Sequence, residues 1–386
     1  MSSNPQKLGL LLFAILGGVA VLALLIERQT SHQVHPAPAK ISMAGMSPEN
    51  HASNQITTAA ASVKLSADFL KQASEKLKGL DANGAREELE ALRAALAAMP
   101  TNEAVALIRQ FLDSKADAPT HLGFKIAGHG WLDEAPTMRT FLLDELGRID
   151  PAAAADYARV ILANMDSPDE WAVALRNLAR GDDSDAARQL LEEKTSEMLQ
   201  YQPWQQNPSS GFLEAFDVAV YLGGTSLLPM LTGLVEQQGN PAIGHASYLA
   251  LDRLVINAPA TTLNALLANM NSMQGRELTR ADYFSRADVS DPQQRQILEN
   301  YLLNPNVTPP ELNAFANIFP NENFMISPNL LTQSPAISHE ALVSRDKESL
   351  QVMQEWLADP RFAGVRPVLE IAASRLEGFV KQEDGK

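Results

Sequence analysis

A long apolar segment near the N-terminus constrains this chain more than any other feature. Residues 8–26 read LGLLLFAILGGVAVLALLI, which is 19 consecutive residues without a charge. As a helix they would rise about 28 Å at 1.5 Å per residue, close to the thickness of the hydrocarbon core of a bilayer. The apolar stretch of a cleaved signal peptide is usually shorter, about 7–15 residues. The sequence therefore predicts an uncleaved, single-pass transmembrane signal anchor whose partner is the lipid bilayer.

The charges beside this segment indicate its orientation in the cell membrane. Lys7 precedes the apolar residues, whereas Glu27 and Arg28 follow them and nearly cancel. Basic residues favour the cytoplasmic side of a membrane. We therefore expect residues 1–7 to form a short cytoplasmic tail and the C-terminal domain to be extracytoplasmic, which in a bacterium means periplasmic.

Residues 27–63 have the composition of a flexible tether. They are rich in Ser, Ala, His, Pro and Asn and lack apolar periodicity, so we expect them to be disordered. Imidazole and thioether groups suit copper ions. The candidate copper ligands in the tether are His32, His35, Met43, Met46 and His51. Their spacing fixes no coordination geometry, so chance composition is the main interpretation, copper binding is an alternative, and no metal site is assigned.

From residue 64 onward, apolar residues recur at the spacing of helices. Leu89, Leu92 and Leu96, for example, share one helix face. Helix starts are indicated by an N-cap residue followed by proline, because the cap side chain accepts an unpaired backbone N–H and proline has none to lose. Such pairs occur at Asp150-Pro151, Ser167-Pro168, Asn240-Pro241, Asp291-Pro292 and Asp359-Pro360. The pattern predicts an all-α domain over residues 64–386.

Two stretches of this domain have the form of helical hairpins. Residues 227–254 place one amphipathic helix before Asn240-Pro241 and a second helix after it, and residues 357–376 resemble this pattern, with Asp359-Pro360 followed by the apolar positions Ala372 and Leu376. This pattern resembles the HEAT-type helical repeat, and the resemblance implies an irregular α-solenoid of helical hairpins. Residues 202–210 and 304–344 interrupt the periodicity. The first is a possible sub-domain boundary, and the second is either a loop that contacts a partner or a surface connection with short helical turns.

Composition excludes several classes of site and partner. The chain has no cysteine, so disulfides, zinc-thiolate sites and cysteine nucleophiles are excluded. Its net charge is −15, and residues 1–63 contribute +1, so residues 64–386 carry −16. A field of that sign repels nucleic acid and favours basic partners or cations. Zinc-protease, P-loop and nucleophile-elbow signatures are missing, so no catalytic residue, cofactor-binding residue or small-molecule substrate is assigned.

Adjacent acidic residues and isolated glycines have ordinary structural interpretations. The acidic pairs are Glu87-Glu88, Asp133-Glu134, Asp144-Glu145, Asp182-Asp183 and Glu192-Glu193. We expect them on solvated helix faces, although helical glycosidases place two carboxylates across an aromatic-lined cleft. Gly128-His129-Gly130 and Gly223-Gly224 are expected at helix C-termini, where glycine adopts the left-handed conformation.

Taken together, these features favour a membrane-anchored, non-catalytic protein-interaction or scaffold domain with an acidic helical-repeat surface. An extracytoplasmic glycan-acting enzyme on a helical scaffold and a copper-binding tether protein are the alternatives.

Overall fold

The computed structural model describes residues 67–237, 239–273, 275–323, 327–333 and 337–384. The predicted anchor at 8–26, the tether and its candidate copper ligands lie outside these ranges. Within the described ranges, no helix combines the length and the apolar character needed to cross a bilayer.

Helix starts follow the local sequence signals. The Asp150 carboxylate accepts a hydrogen bond from the backbone N–H of Ala153 at 3.0 Å, and Pro151 occupies the first helical turn. Ser167, Asn240 and Asp291 cap their helices in the same way. Asp359 also acts as a cap, but the helix it starts is a 3-10 helix at Pro360–Val365 that runs into the last α-helix.

The described chain is predominantly α-helical. Its first helices are α1 (Ala67–Leu77), α2 (Ala82–Ala97), α3 (Thr101–Asp113), α4 (Met138–Ile149), α5 (Pro151–Ile161), α6 (Pro168–Gly181), α7 (Asp185–Gln200), α8 (Gln202–Gln206) and α9 (Ser210–Glu214). They are followed by α10 (Asp217–Leu222), α11 (Leu228–Glu236), α12 (Pro241–Asn257), α13 (Pro259–Ala268), α14 (Glu277–Phe284), α15 (Pro292–Leu302), α16 (Pro309–Ile318), α17 (His339–Ala358) and α18 (Arg366–Asp384). Two short antiparallel strands, β1 (Lys125–Ile126) and β2 (Leu132–Glu134), lie between α3 and α4.

Most helices pack against the helices one and two positions along the chain. Thus α4 contacts α5 and α6, α12 contacts α13 and α14, and α16 contacts both α14 and α18. One continuous cluster of buried hydrophobic residues extends from Leu70 to Leu376 through Val63–Lys386, which form one unit. The helices are therefore arranged like repeats, which is compatible with an α-solenoid.

Buried arginine–carboxylate pairs connect alternate helices and recur at similar sequence separations. Arg139 of α4 pairs with Glu170 of α6, and Arg280 of α14 pairs with Glu311 of α16, each 31 residues apart. Two further pairs, Asp144 with Arg176 and Asp252 with Arg286, are 32 and 34 residues apart. This spacing is about the length of one helical hairpin.

One sequence prediction about glycines needs correction. Gly128-His129-Gly130 does not end an α-helix, because it forms a 3-10 turn between β1 and β2. Gly223 does follow α10 with a φ of 64°. Residues 304–344 contain α16 and the start of α17. Their prolines include Pro309 in the first turn of α16, where proline starts a helix rather than breaking one.

Candidate binding pocket

A pocket of about 570 Å³ lies between two segments that are remote in sequence. One wall is the 128–131 turn, and the other is the 327–333 segment, which belongs to the stretch predicted as a possible partner-contacting loop. Cavities of about 300–1,000 Å³ commonly hold small ligands. The lining includes His129, Trp131, Arg180, Asn329, Thr332 and Gln333.

Arg180, in the last turn of α6, joins the two walls. Its Nη2 donates to the carbonyl oxygens of His129 on one wall and of Leu330 on the other, the latter at 2.9 Å. The walls approach closely at Gly130, whose φ is +71°. A Cβ atom there would lie 2.1 Å from the Leu330 carbonyl oxygen, so this position requires glycine.

Trp131 forms an aromatic floor held by three arginines. The guanidinium carbons of Arg148, Arg176 and Arg180 lie 5.0, 4.6 and 4.5 Å from its ring centroid, within the range of cation–π attraction. The indole also packs against α4 at Gly147, where a Cβ atom would lie 3.1 Å from its Cζ3. These contacts fix the ring orientation.

Asp144 anchors this arrangement from within the core. It is fully buried and accepts hydrogen bonds from Arg176, from Arg148 Nε at 2.9 Å and from the backbone N–H of Leu132 at 3.1 Å. Arg176 Nη1 also donates to the Gly130 carbonyl oxygen at 3.0 Å. The carboxylate thereby ties α4 and α6 to the turn that carries Trp131.

The prediction that acidic pairs lie on solvated helix faces is therefore wrong for Asp144-Glu145. Glu145 is 3% exposed and accepts a hydrogen bond from Arg93 Nε at 2.8 Å, and burial raises the pKa of its carboxyl. Asp133-Glu134 lies in β2 rather than in a helix, and pairs with Lys125 and Arg86. Besides the nearby Arg148, the distant Arg176 pairs with Asp144 and the distant Arg93 pairs with Glu145, and a local pattern cannot reveal these distant partners.

The opposite wall is fixed by another buried carboxylate. Asp217, at the start of α10, accepts hydrogen bonds from the backbone N–H groups of Leu331 and Thr332 at 2.8 and 2.9 Å. The Asp217 carboxylate also accepts a hydrogen bond from the Thr332 hydroxyl, and Arg253 Nη1 lies 3.6 Å from its Oδ1. The carboxylate is fully used in holding the 327–333 segment against the helical core.

The pocket is cationic within an acidic domain. Arg180 is the charged side chain in the described lining, and burial, followed by the nearby charge of Arg176, lowers its pKa to about 10. It therefore stays protonated at neutral pH. Across the described ranges, no group of three or more His, Asp or Glu side chains is arranged to hold a metal ion.

The sequence marks each of the two walls as unusual, but it does not predict that the walls come together to form a pocket. The isolated glycine turn and the Pro- and Asn-rich stretch are both conspicuous, whereas Trp131, Arg180 and Asn329 carry no motif. No family model, no curated protein and no solved structure gives a significant match to this chain.

Proposed function

We propose that this chain is a membrane-anchored, non-catalytic protein-interaction domain built of HEAT-like helical hairpins. Residues 8–26 hold it in the cell membrane, and the helical domain stands on the extracytoplasmic side. The uncharged 19-residue segment supports the anchor. The hairpin-length spacing of the buried ion pairs supports the repeat assignment.

The observation that carries the proposal is the pocket between the 128–131 turn and the 327–333 segment. It presents an indole, a cation, amides and hydroxyls, which are groups that bind peptides. A glycoside hydrolase instead needs two carboxylates flanking the scissile bond. None of the described lining residues is a carboxylate, and the nearby Asp144 and Asp217 are occupied by arginines and backbone N–H groups. This composition favours binding over hydrolysis.

Charge defines the class of protein partner. The domain carries −16, so long-range attraction accelerates the approach of basic proteins and slows that of acidic ones. A basic protein with a chain segment that binds in the pocket fits both the negative charge of the domain and the chemistry of the pocket.

Site-specific photo-crosslinking tests this function. A photoreactive amino acid replaces Gln333, an exposed residue at the pocket rim, in the full-length chain in its native membrane. The matched control carries it at Gln293, which is exposed on α15 and outside the pocket. We expect a discrete protein adduct from position 333 and none of that mass from position 293. Identical adducts from both positions, or none from position 333, would refute the proposal.

A further inference from the structure

The pocket contains hydrogen-bond donors that have no acceptor among the described residues. Arg180 uses only Nη2 in its contacts with the two walls, which leaves Nε and Nη1 free to donate. The indole Nε1–H of Trp131 donates to no described residue. Asn329 is only 4% exposed, and its Nδ2 is buried and likewise has no hydrogen-bond partner.

The unpaired Nδ2 of Asn329 indicates that a hydrogen-bond acceptor belongs beside it, because burying an unpaired donor costs free energy. Leaving such a group without an acceptor costs about 1–3 kcal/mol. Asn329 holds its place through its Oδ1, which lies 3.2 Å from the Ser327 hydroxyl. Asn329, Arg180 and Trp131 all line the pocket, so an acceptor bound there would satisfy the free groups of Arg180 and Trp131, and also Nδ2 once the amide turns towards it. Three side chains with free donors around one pocket suit a ligand with several acceptor lone pairs.

The charge balance specifies the sign and size of the ligand charge. Arg148, Arg176 and Arg180 surround Trp131; Asp144 pairs with Arg148 and Arg176 and Glu145 also pairs with Arg148, whereas Arg180 forms no ion pair with a described carboxylate. A negative group beside Arg180 would therefore be stabilised. The domain as a whole carries −16, so a ligand with several negative charges would be repelled at longer range. A single negative charge on an otherwise neutral or basic molecule satisfies both conditions.

We propose that this pocket binds one carboxylate of a neutral or basic peptide segment, with the guanidinium of Arg180 and the amide of Asn329 donating to it and the segment resting on Trp131. Both Nη2 hydrogens of Arg180 are used by the two walls, so a carboxylate would accept a single charge-assisted hydrogen bond from Nε or Nη1, and a phosphate would bring a second negative charge. The carboxylate is either a chain terminus or an acidic side chain. This inference rests on the proposed interaction function and defines the group that the pocket recognises.

Fluorine NMR of the full-length chain in detergent, labelled with 5-fluorotryptophan, tests the inference. The chain has four tryptophans, and the signal of Trp131 is the one that disappears in Trp131→Phe. The probes are acetyl-Lys-Ala-Ala with a free carboxylate, the same peptide amidated, acetyl-Lys-Ala-Glu amidated, and inorganic phosphate. We expect a saturable shift of the Trp131 signal with a free-carboxylate peptide and at least tenfold weaker binding of the fully amidated peptide and of phosphate.

The first and third probes identify the source of the carboxylate, because the first offers a terminal carboxylate and the third a side-chain carboxylate, while the second offers none and serves as the control for both. Equal affinity for the fully amidated peptide, or for phosphate, would overturn the inference. A crosslinked partner at position 333 without carboxylate binding would remove this inference alone, whereas loss of both results would also remove the proposed function.

Variants separate recognition from folding. Arg180→Gln removes the charge but also removes hydrogen bonds that join the two walls. Asn329→Asp is the more specific change, because it keeps the side-chain shape and replaces a hydrogen-bond donor with an acceptor. We expect at least tenfold weaker carboxylate binding from Asn329→Asp with an unchanged circular dichroism spectrum. Arg109→Gln is the matched control, because Arg109 is an exposed arginine over the ring of Tyr157 and outside the pocket. Unchanged affinity in a folded Asn329→Asp chain would contradict the assignment.

Discussion

At the scale of single residues, Gly130 decides whether the two walls of the pocket can meet. Its φ is +71°, and a Cβ atom at this position would lie only 2.1 Å from the Leu330 carbonyl oxygen, which excludes any side chain. We expect Gly130→Ala to lower the free energy of unfolding by at least about 2 kcal/mol, since strain and overpacking add. Urea denaturation followed by circular dichroism measures this change.

Gly128 is the matched control for that substitution. It lies two residues away in the same turn, and a Cβ atom there would meet nothing within 4 Å. Gly128→Ala should therefore change the free energy of unfolding by less than about 1 kcal/mol. Equal effects of the two substitutions would show that the close approach at Leu330 does not constrain the fold.

Glu322 makes stability depend on pH. Burial, reinforced by the charge of Asp346, raises its pKa to about 7 against the opposing charges of Arg345 and Arg375, and Asp288 adds a small effect in the same direction as Asp346. Its Oε1 is buried and has no hydrogen-bond partner among the described residues. A carboxyl whose pKa is raised by folding contributes its full stability to the folded state below its unfolded pKa of about 4.5. This stability is lost as pH rises through its folded pKa of about 7.

We expect Glu322→Gln to remove that loss, because glutamine stays neutral at every pH. The melting temperature of the variant minus that of the parent should therefore increase from pH 5 to pH 8, as measured by thermal circular dichroism. Glu370→Gln, at an exposed position of α18, serves as the control and should follow the parent. Parallel profiles for parent and Glu322→Gln would rule out this role for the carboxyl.

At the scale of helices, the buried ion pairs fix the register between alternate helices. The Arg280 guanidinium forms a two-point contact with Glu311, with distances of 3.1 and 2.6 Å, and Glu311 also accepts the Tyr301 hydroxyl at 3.1 Å. Removing one partner of such a pair leaves an uncompensated buried charge, which costs about 3–5 kcal/mol. We expect Arg280→Met to lose stability of that order in urea denaturation.

The double variant Arg280→Met, Glu311→Gln tests the reason for this loss. It removes both charges and keeps an acceptor for Tyr301, so it should recover more than half of the lost stability. Lys78→Met breaks an exposed pair with Glu75 on the surface and should cost less than about 1 kcal/mol. A double variant as unstable as the single one would show that shape, not unpaired charge, sets the cost.

The same pairs explain which elements could be predicted from the sequence. Helix starts such as Asp150-Pro151 were predictable because the cap and the proline are adjacent in the chain. Asp144 looked like a surface acid because its neighbour Arg148 resembles an ordinary surface partner, whereas its buried partner Arg176 lies 32 residues away. The pocket needed a still longer range, since Arg180 and Leu330 are 150 residues apart. Local signals thus specify helices, whereas burial and the site depend on contacts that only the fold creates.

At the scale of the whole molecule, the chain would combine a fixed location with a pocket of specific chemistry. The predicted tether, 27–63, would let the domain search the space near the membrane, with a reach set by the length of a flexible coil. The acidic domain would attract basic partners, and the pocket would select those that present a carboxylate. Tethering raises the effective concentration of such a partner when it sits in the same membrane, so modest affinity would suffice.

The orientation of the anchor is the prediction on which this arrangement depends. The chain has no cysteine, so a single introduced thiol reports its own side of the membrane. Val160→Cys places one on α5 at a site that is 49% exposed, and Ser2→Cys places one in the predicted cytoplasmic tail. We expect a membrane-impermeant maleimide to label Val160→Cys in bacterial cells with a permeabilised outer membrane, and Ser2→Cys only after lysis.

Deleting residues 8–26 completes the test, because only the apolar segment is expected to hold the chain in the bilayer. The shortened chain should leave the membrane pellet and appear in the supernatant after an alkaline wash, whereas the full chain stays in the pellet. Labelling in the reverse order would place the domain and its pocket in the cytoplasm. A shortened chain that stays in the pellet would mean that the helical domain itself binds the membrane, despite its charge of −16.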